Sequence, residues 1–179
     1  EGRSVQQTSD GGYIFAGWTV PITGPADVWL VKTDNSGIEE WSHTYGGSGE
    51  DQAYCVRQTP EGGYIIVGST TSYGAGGKDL WIIKTDPSGV MEWDRVYGGA
   101  GDDIGRSIYR ILDGGYIVTG YTNSFGSGNN DAWVLRLGED LLNIELTPSY
   151  APIILPPIGG VFQYHLTVTN NASYWRTFS

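Results

Sequence analysis

Apolar and polar residues alternate along this chain in short bursts, and the bursts recur. The segments YIFAGWT (13–19), YIIVGST (64–70) and YIVTGYT (116–122) each follow a DGG or EGG turn. DVWLVKT (27–33), DLWIIKT (79–85) and DAWVLRL (131–137) form a second set. SVQQT, CVRQT and SIYRI precede the first set, and IEEWSHTY or VMEWDRVY follows the second in two of the three cases. All are rich in β-branched and aromatic residues and bounded by turn residues, which predicts strands. The order predicts a four-stranded antiparallel meander, repeated.

Turn chemistry agrees. TPEGG places Pro60 where a fixed φ suits a type I turn, and Gly62 where a left-handed residue closes a three-residue hairpin. DNSG (34–37) and DPSG (86–89) carry Asp first and Gly fourth, the signature of a tight link between strands three and four.

Asp10, Glu61 and Asp113 fix a period of about 52, as do Asp27, Asp79 and Asp131. Trp29, Trp81 and Trp133 share a column, and Trp41 shares one with Trp93. One sheet cannot bury both of its own faces, so recurring aromatic columns predict sheets that cover one another, with these tryptophans as core. The fold expected is all-β: β-propeller blades in three repeats of a four-stranded unit (1–51, 52–103 and 104–140). The third repeat lacks the W-x-x-x-Y-G-G strand after Leu137. Closed rings use typically four to eight blades. Further blades are therefore expected from other copies or from a longer chain, and Glu1, aligned inside a repeat, reads as the start of a processed or partial chain.

The string D-G-G-Y-I-x-x-G-x-T, then D-x-W-L-x-K-T-D-x-x-G-x-x-x-W, then Y-G-G-x-G-x-D resembles the repeat of secreted bacterial and archaeal β-propeller proteins. It is more distantly similar to kelch and quinoprotein-type propellers. The resemblance covers residues 1 to about 137 and implies a propeller architecture outside the cell, without implying a reaction.

From Leu141 the pattern changes. Pro148, Pro152, Pro156 and Pro157 are half of the chain's eight prolines. They lie between NIELT and VFQYHLTVTNN, which read as strands. Residues 141–179 are expected to form part of an immunoglobulin-like β-sandwich, or a strand segment exchanged between subunits.

Composition narrows the function classes. The formal net charge is -10, from 20 acidic and 10 basic residues, which disfavours nucleic acid as a partner. No apolar run long enough to span a bilayer occurs. Cys55, the only cysteine, shares a column with Ser4 and Ser107 and is expected to be a small buried residue. His43 and His165 do not recur in the repeat, and Arg95 holds the column of His43. No Ser lies in a G-x-S-x-G elbow, so a hydrolytic triad is not expected.

Carboxylates are the remaining candidates. GSGED ends in Glu50-Asp51 and GAGDD in Asp102-Asp103, on glycine-rich links where several oxygens are available to a hard cation such as Ca2+. The same residues are good turn formers, and turn chemistry is the simpler expectation. Asp27, Asp79 and Asp131, present in every repeat, read as structural caps or hydrogen-bond acceptors between blades. Residues that break the repeat, Trp18, Tyr73, Phe125, Asn129 and Asn130, are candidates for a rim that binds a glycan or a surface protein. Asn171-Ala172-Ser173 matches a glycosylation acceptor and fits an extracellular or cell-surface location. The expectation is a non-enzymatic extracellular structural or adhesion protein. The alternative is a carbohydrate-binding module or glycoside hydrolase component.

Overall fold

A computed structural model describes residues 1–112, 114–126 and 129–138, and gives the backbone of Glu145–Thr147 and Thr167–Thr169. The first sheet contains β1 (Gly2–Gln7), β2 (Tyr13–Thr19), β3 (Asp27–Thr33) and β4 (Glu39–Tyr45) in sequential order. The second repeats the pattern with β5 (Asp51–Gln58), β6 (Tyr64–Thr70), β7 (Asp79–Thr85) and β8 (Met91–Tyr97). Among the described residues the third contains β9 (Asp103–Arg110), β10 (Tyr116–Thr122) and β11 (Asp131–Leu137), and its sequence lacks the fourth-strand motif after Leu137. All pairings are antiparallel. Among the described residues the chain is all-β, and no helix is long and apolar enough to cross a membrane.

The turns use the residues that the sequence supplies. Gly62 has φ +90°, and its N–H donates to the Thr59 carbonyl at 3.0 Å, closing the hairpin between β5 and β6. Asp34 Oδ1 accepts from the N–H groups of Ser36 and Ile38, and Asp86 Oδ1 does the same for Ser88 and Val90. The first strand of each repeat begins earlier than its apolar pattern suggests. Asp51 and Asp103 open β5 and β9 because their N–H groups donate to the Ala26 and Lys78 carbonyls of the preceding sheet, at 2.7 and 2.5 Å.

Successive side chains of β6 enter different cores, as period-two geometry requires. Ile65 and Val67 join Cys55, Leu80 and Ile82 against Ile108, Tyr116, Val118, Leu135 and Leu137 of the third sheet. Tyr64 and Ile66 join Ala53, Val56, Trp81 and Ile83 against Ile14, Ala16, Val28 and Leu30 of the first. The second sheet is thus covered on both faces, and β6 is buried at every position. Trp81 and Trp133 pack at the two junctions as expected, and Cys55 is a buried core residue.

Trp29 differs. It lies on the outer face of the first sheet, edge-on to Phe15 at 5.7 Å, and no described sheet covers it. Val5 on the same face is 66% exposed, whereas Val56, its counterpart one repeat later, is fully buried. The second sheet packs on the first through one face and on the third through the other. Beyond them, Glu145–Thr147 (β12) pairs antiparallel with Thr167–Thr169 (β13), within the two segments expected to be strands. The rest of the proposed sandwich, His165 and the glycosylation acceptor lie outside the described residues, as does Asp113 of the third turn.

Candidate functional site

The Asp that ends each Y-G-G-x-G-x-D link is drawn inward and fixed by hydrogen bonds. Asp51 Oδ2 accepts from the Gly47 N–H at 2.9 Å and from Ser72 Oγ at 2.6 Å; Ser72 Oγ in turn accepts from the Gly49 N–H at 2.9 Å. The next repeat copies this arrangement. Asp103 Oδ2 accepts from the Gly99 N–H at 2.8 Å and Ser124 Oγ at 2.5 Å, Ser124 Oγ accepts from the Gly101 N–H at 2.9 Å, and Thr122 Oγ1 donates to Asp103 Oδ1. These carboxylates tie the link between sheets to the loop after the second strand. Turn chemistry is what they demonstrably perform.

A second carboxylate meets each of them from the preceding sheet. A Cβ placed on Gly46 would lie 1.9 Å from Asp27 Oδ1 and 2.9 Å from Asp51 Oδ2. On Gly98 it would lie 1.8 Å from Asp79 Oδ1 and 2.8 Å from Asp103 Oδ2. Only glycine leaves room for the pair. Burial, and then the Asp51 charge, raises the Asp27 pKa. Burial raises that of Asp79 to about 6, against the Ala75 N–H that donates to Asp79 Oδ2 at 2.7 Å, and the charges of Asp103 and Asp102 add to the rise. Asp51 and Asp103 are 0% exposed and Asp79 is 1% exposed.

Their sequence neighbours do not join them. Glu50 reaches outward to Lys78 at 3.5 Å, and Asp102 Oδ1 accepts from the Lys78 N–H at 2.9 Å. Adjacent residues of a strand face opposite ways, which separates Glu50 from Asp51 and Asp102 from Asp103. Among the described residues no three His, Cys, Asp or Glu side chains converge as a metal-holding group.

The expected rim divides. Tyr73 and Phe125 occupy equivalent loop positions, 44% and 53% exposed, their rings tilted against those of Trp81 and Trp133 at 5.4 and 5.9 Å. Tyr73 also donates its hydroxyl to the Gly46 carbonyl at 3.0 Å. Asn129 and Asn130 are exposed beside the third loop. Trp18 sits within β2 rather than in the loop after it. There it joins a cluster that the pattern of the sequence did not single out. The Arg3 guanidinium lies 4.7 Å from the Trp18 ring, Trp18 is edge-on to Tyr54 at 6.0 Å, and Arg106 lies 4.2 Å from Tyr54 and 5.6 Å from Tyr121. Arg3, Tyr54 and Arg106 stand where the strand register shifts in β1, β5 and β9. The signal for these bulges was the Gly shared by Gly17, Gly68 and Gly120, whose Cβ would strike the carbonyl of Glu1, Gln52 or Ile104 at 1.8 Å.

Three further polar side chains have structural partners. His43 Nε2 lies 3.0 Å from the Ser88 carbonyl and Tyr45 donates to that of Gly89 at 2.6 Å, so β4 grips the turn of the following sheet. Lys32, nearly fully buried, bridges Asp10 at 2.9 Å and Glu40 at 2.8 Å. The Asp10 pKa falls far below its usual range, chiefly through that bond. No family model matches this chain, and a search of curated proteins finds no match.

Proposed function

We propose that this chain is a non-enzymatic structural or adhesion protein of the extracellular space or cell surface. In this reading it is a run of propeller blades whose open end faces are covered by further sheets of the same repeat. One observation supports this most. Val5, Tyr13, Phe15 and Trp29, exposed or half-buried on the first sheet, occupy the columns of Val56, Tyr64, Ile66 and Trp81, which the neighbouring sheet buries completely or almost so. On the open face of the third sheet, Ile117, Thr119, Ala132 and Val134 hold the columns of Ile65, Val67, Leu80 and Ile82. The two open faces are therefore the two halves of a junction that the chain already makes twice, and exposed apolar faces of this kind mark association surfaces. The acidic net charge of -10 suits a soluble extracellular surface.

Sedimentation and negative-stain electron microscopy of the 179-residue chain test this. Particles of two or more chains, as rings or stacks, are expected; a monodisperse monomer overturns assembly from separate copies.

A second reading, carbohydrate binding, draws on the half-exposed Tyr73 and Phe125 at equivalent loop positions. A glycan array with a hydrolysis screen separates the two. Turnover abolished by Asp102→Ala or Asp103→Ala would replace the structural reading with an enzymatic one.

A further inference from the structure

Five buried side-chain oxygens in the described residues have no hydrogen-bond partner, and three belong to the carboxylate pairs at the sheet junctions: Asp27 Oδ1, Asp51 Oδ1 and Asp79 Oδ1. An unpaired buried carboxylate oxygen is costly, and two carboxylates turned toward each other cost more. The molecule places a carboxylate pair at both of its junctions and gives up a side chain at Gly46 and at Gly98 to do so; at the second junction the orphan is Asp79 Oδ1, while Asp103 Oδ1 accepts from Thr122 Oγ1.

We propose that a hard divalent cation, Ca2+ or Mg2+, binds at each junction, between Asp27 and Asp51 and between Asp79 and Asp103. Oxygen is the only donor type that the pairs present. Cys55 is packed in the core between the second and third sheets, and His43 is engaged with the Ser88 carbonyl, so a Zn2+ site of nitrogen and sulfur ligands has no material here. Two carboxylates supply the charge, and water and main-chain carbonyls are left to complete a shell of about six to eight oxygens for Ca2+, or an octahedron for Mg2+. The site differs from the adjacent pairs Glu50-Asp51 and Asp102-Asp103, whose members point apart. Its ligands come from two sheets, so an ion there clips one sheet to the next. The bonds from Gly47, Gly99, Ser72 and Ser124 hold Asp51 and Asp103 in position, as supporting hydrogen bonds do around a metal ligand.

The test uses the full chain, stripped with a chelator and titrated with CaCl2 or MgCl2 alone at pH 7.5. Isothermal calorimetry and the thermal midpoint are read together. The expected result is two ions per chain, a rise in the midpoint on binding, and weaker binding at pH 5.5, where protons compete for the same oxygens. Asp27→Asn and Asp79→Asn, near-isosteric replacements, are each expected to remove one of the two ions, or to weaken it by about tenfold or more. Absence of heat and of any midpoint shift with either cation overturns the proposal. So does binding that both variants leave unchanged, and so does a chain stabilised by acid alone and indifferent to both ions, which would assign the orphan oxygens a shared proton. These readouts do not depend on the number of chains in the particle, so failure here and failure of the assembly reading are separate results.

Discussion

Ser72 Oγ donates to Asp51 Oδ2 at 2.6 Å across the loop that follows β6, and Ser124 makes the same bond to Asp103 one repeat later. Each serine also accepts from a link N–H, so one hydroxyl fastens the loop to the link at two points. Ser72→Ala is expected to destabilise the protein by about 1.5–3 kcal/mol, the range for a hydrogen bond to a charged group. Urea denaturation checks this. A change below a few tenths would show that the loop is held by something else.

Acid should strengthen the metal-free junction between the second and third sheets. The Asp79 pKa is raised from 3.8 to about 6 by burial and then by the Asp103 and Asp102 charges, against the Ala75 N–H. A raised folded-state pKa means that the protonated carboxyl favours the fold. The stabilisation is complete below 3.8 and is lost as the pH climbs through about 6. Stability measured after chelation should rise from pH 7.5 to pH 5. Asp79→Asn should be more stable than the parent at pH 7.5 and lose much of that slope.

Two glycine substitutions should differ in size because their causes differ. Gly37 has φ +82° with nothing within 4 Å of an added Cβ. Gly37→Ala therefore pays only backbone strain, about 1–2 kcal/mol. Gly68 has an ordinary φ, but its Cβ would lie 1.8 Å from the Gln52 carbonyl oxygen. Gly68→Ala forces the β5 bulge open and should cost on the order of 3 kcal/mol or more. Equal losses in thermal melts would contradict the bulge as the reason for that glycine.

Trp81 and Trp29 occupy one column in unlike surroundings. Trp81, at 3% exposure, is packed between sheets with its Nε1 donating to Asp94 at 2.8 Å. Trp81→Ala should cost about 3–5 kcal/mol. Trp29→Ala in the isolated chain should cost about 1–2 kcal/mol, because the open face leaves less to lose. Its larger effect should appear in particle mass, as weaker association.

Local chemistry made the strands and turns legible in advance. The β2 and β3 segments were bounded correctly because Gly11, Gly62, Asp34 and Asp86 act within a few residues of themselves. The columns of Trp81 and Trp133 announced packed sheets for the same reason that any periodic apolar pattern does. What stayed hidden depends on sheets meeting in space. Asp27 and Asp51 lie on different sheets, and nothing local distinguishes a carboxylate that caps a loop from one that faces another carboxylate. Adjacency in sequence is no guide to it either: Glu50 reaches Lys78 while Asp51 accepts from Gly47 and Ser72. The cluster from Arg3 to Tyr121 was obscured by the bulges, which shift the register on which alternation depends.

The open faces of the first and third sheets are unlike one another, so contact between copies would be head to tail and have a direction. A chain spoiled on one face alone, by Val5→Asp for instance, would still dock through its other face. It would then stop growth at that end, so a small dose of such a terminator would shorten every polymer in the tube.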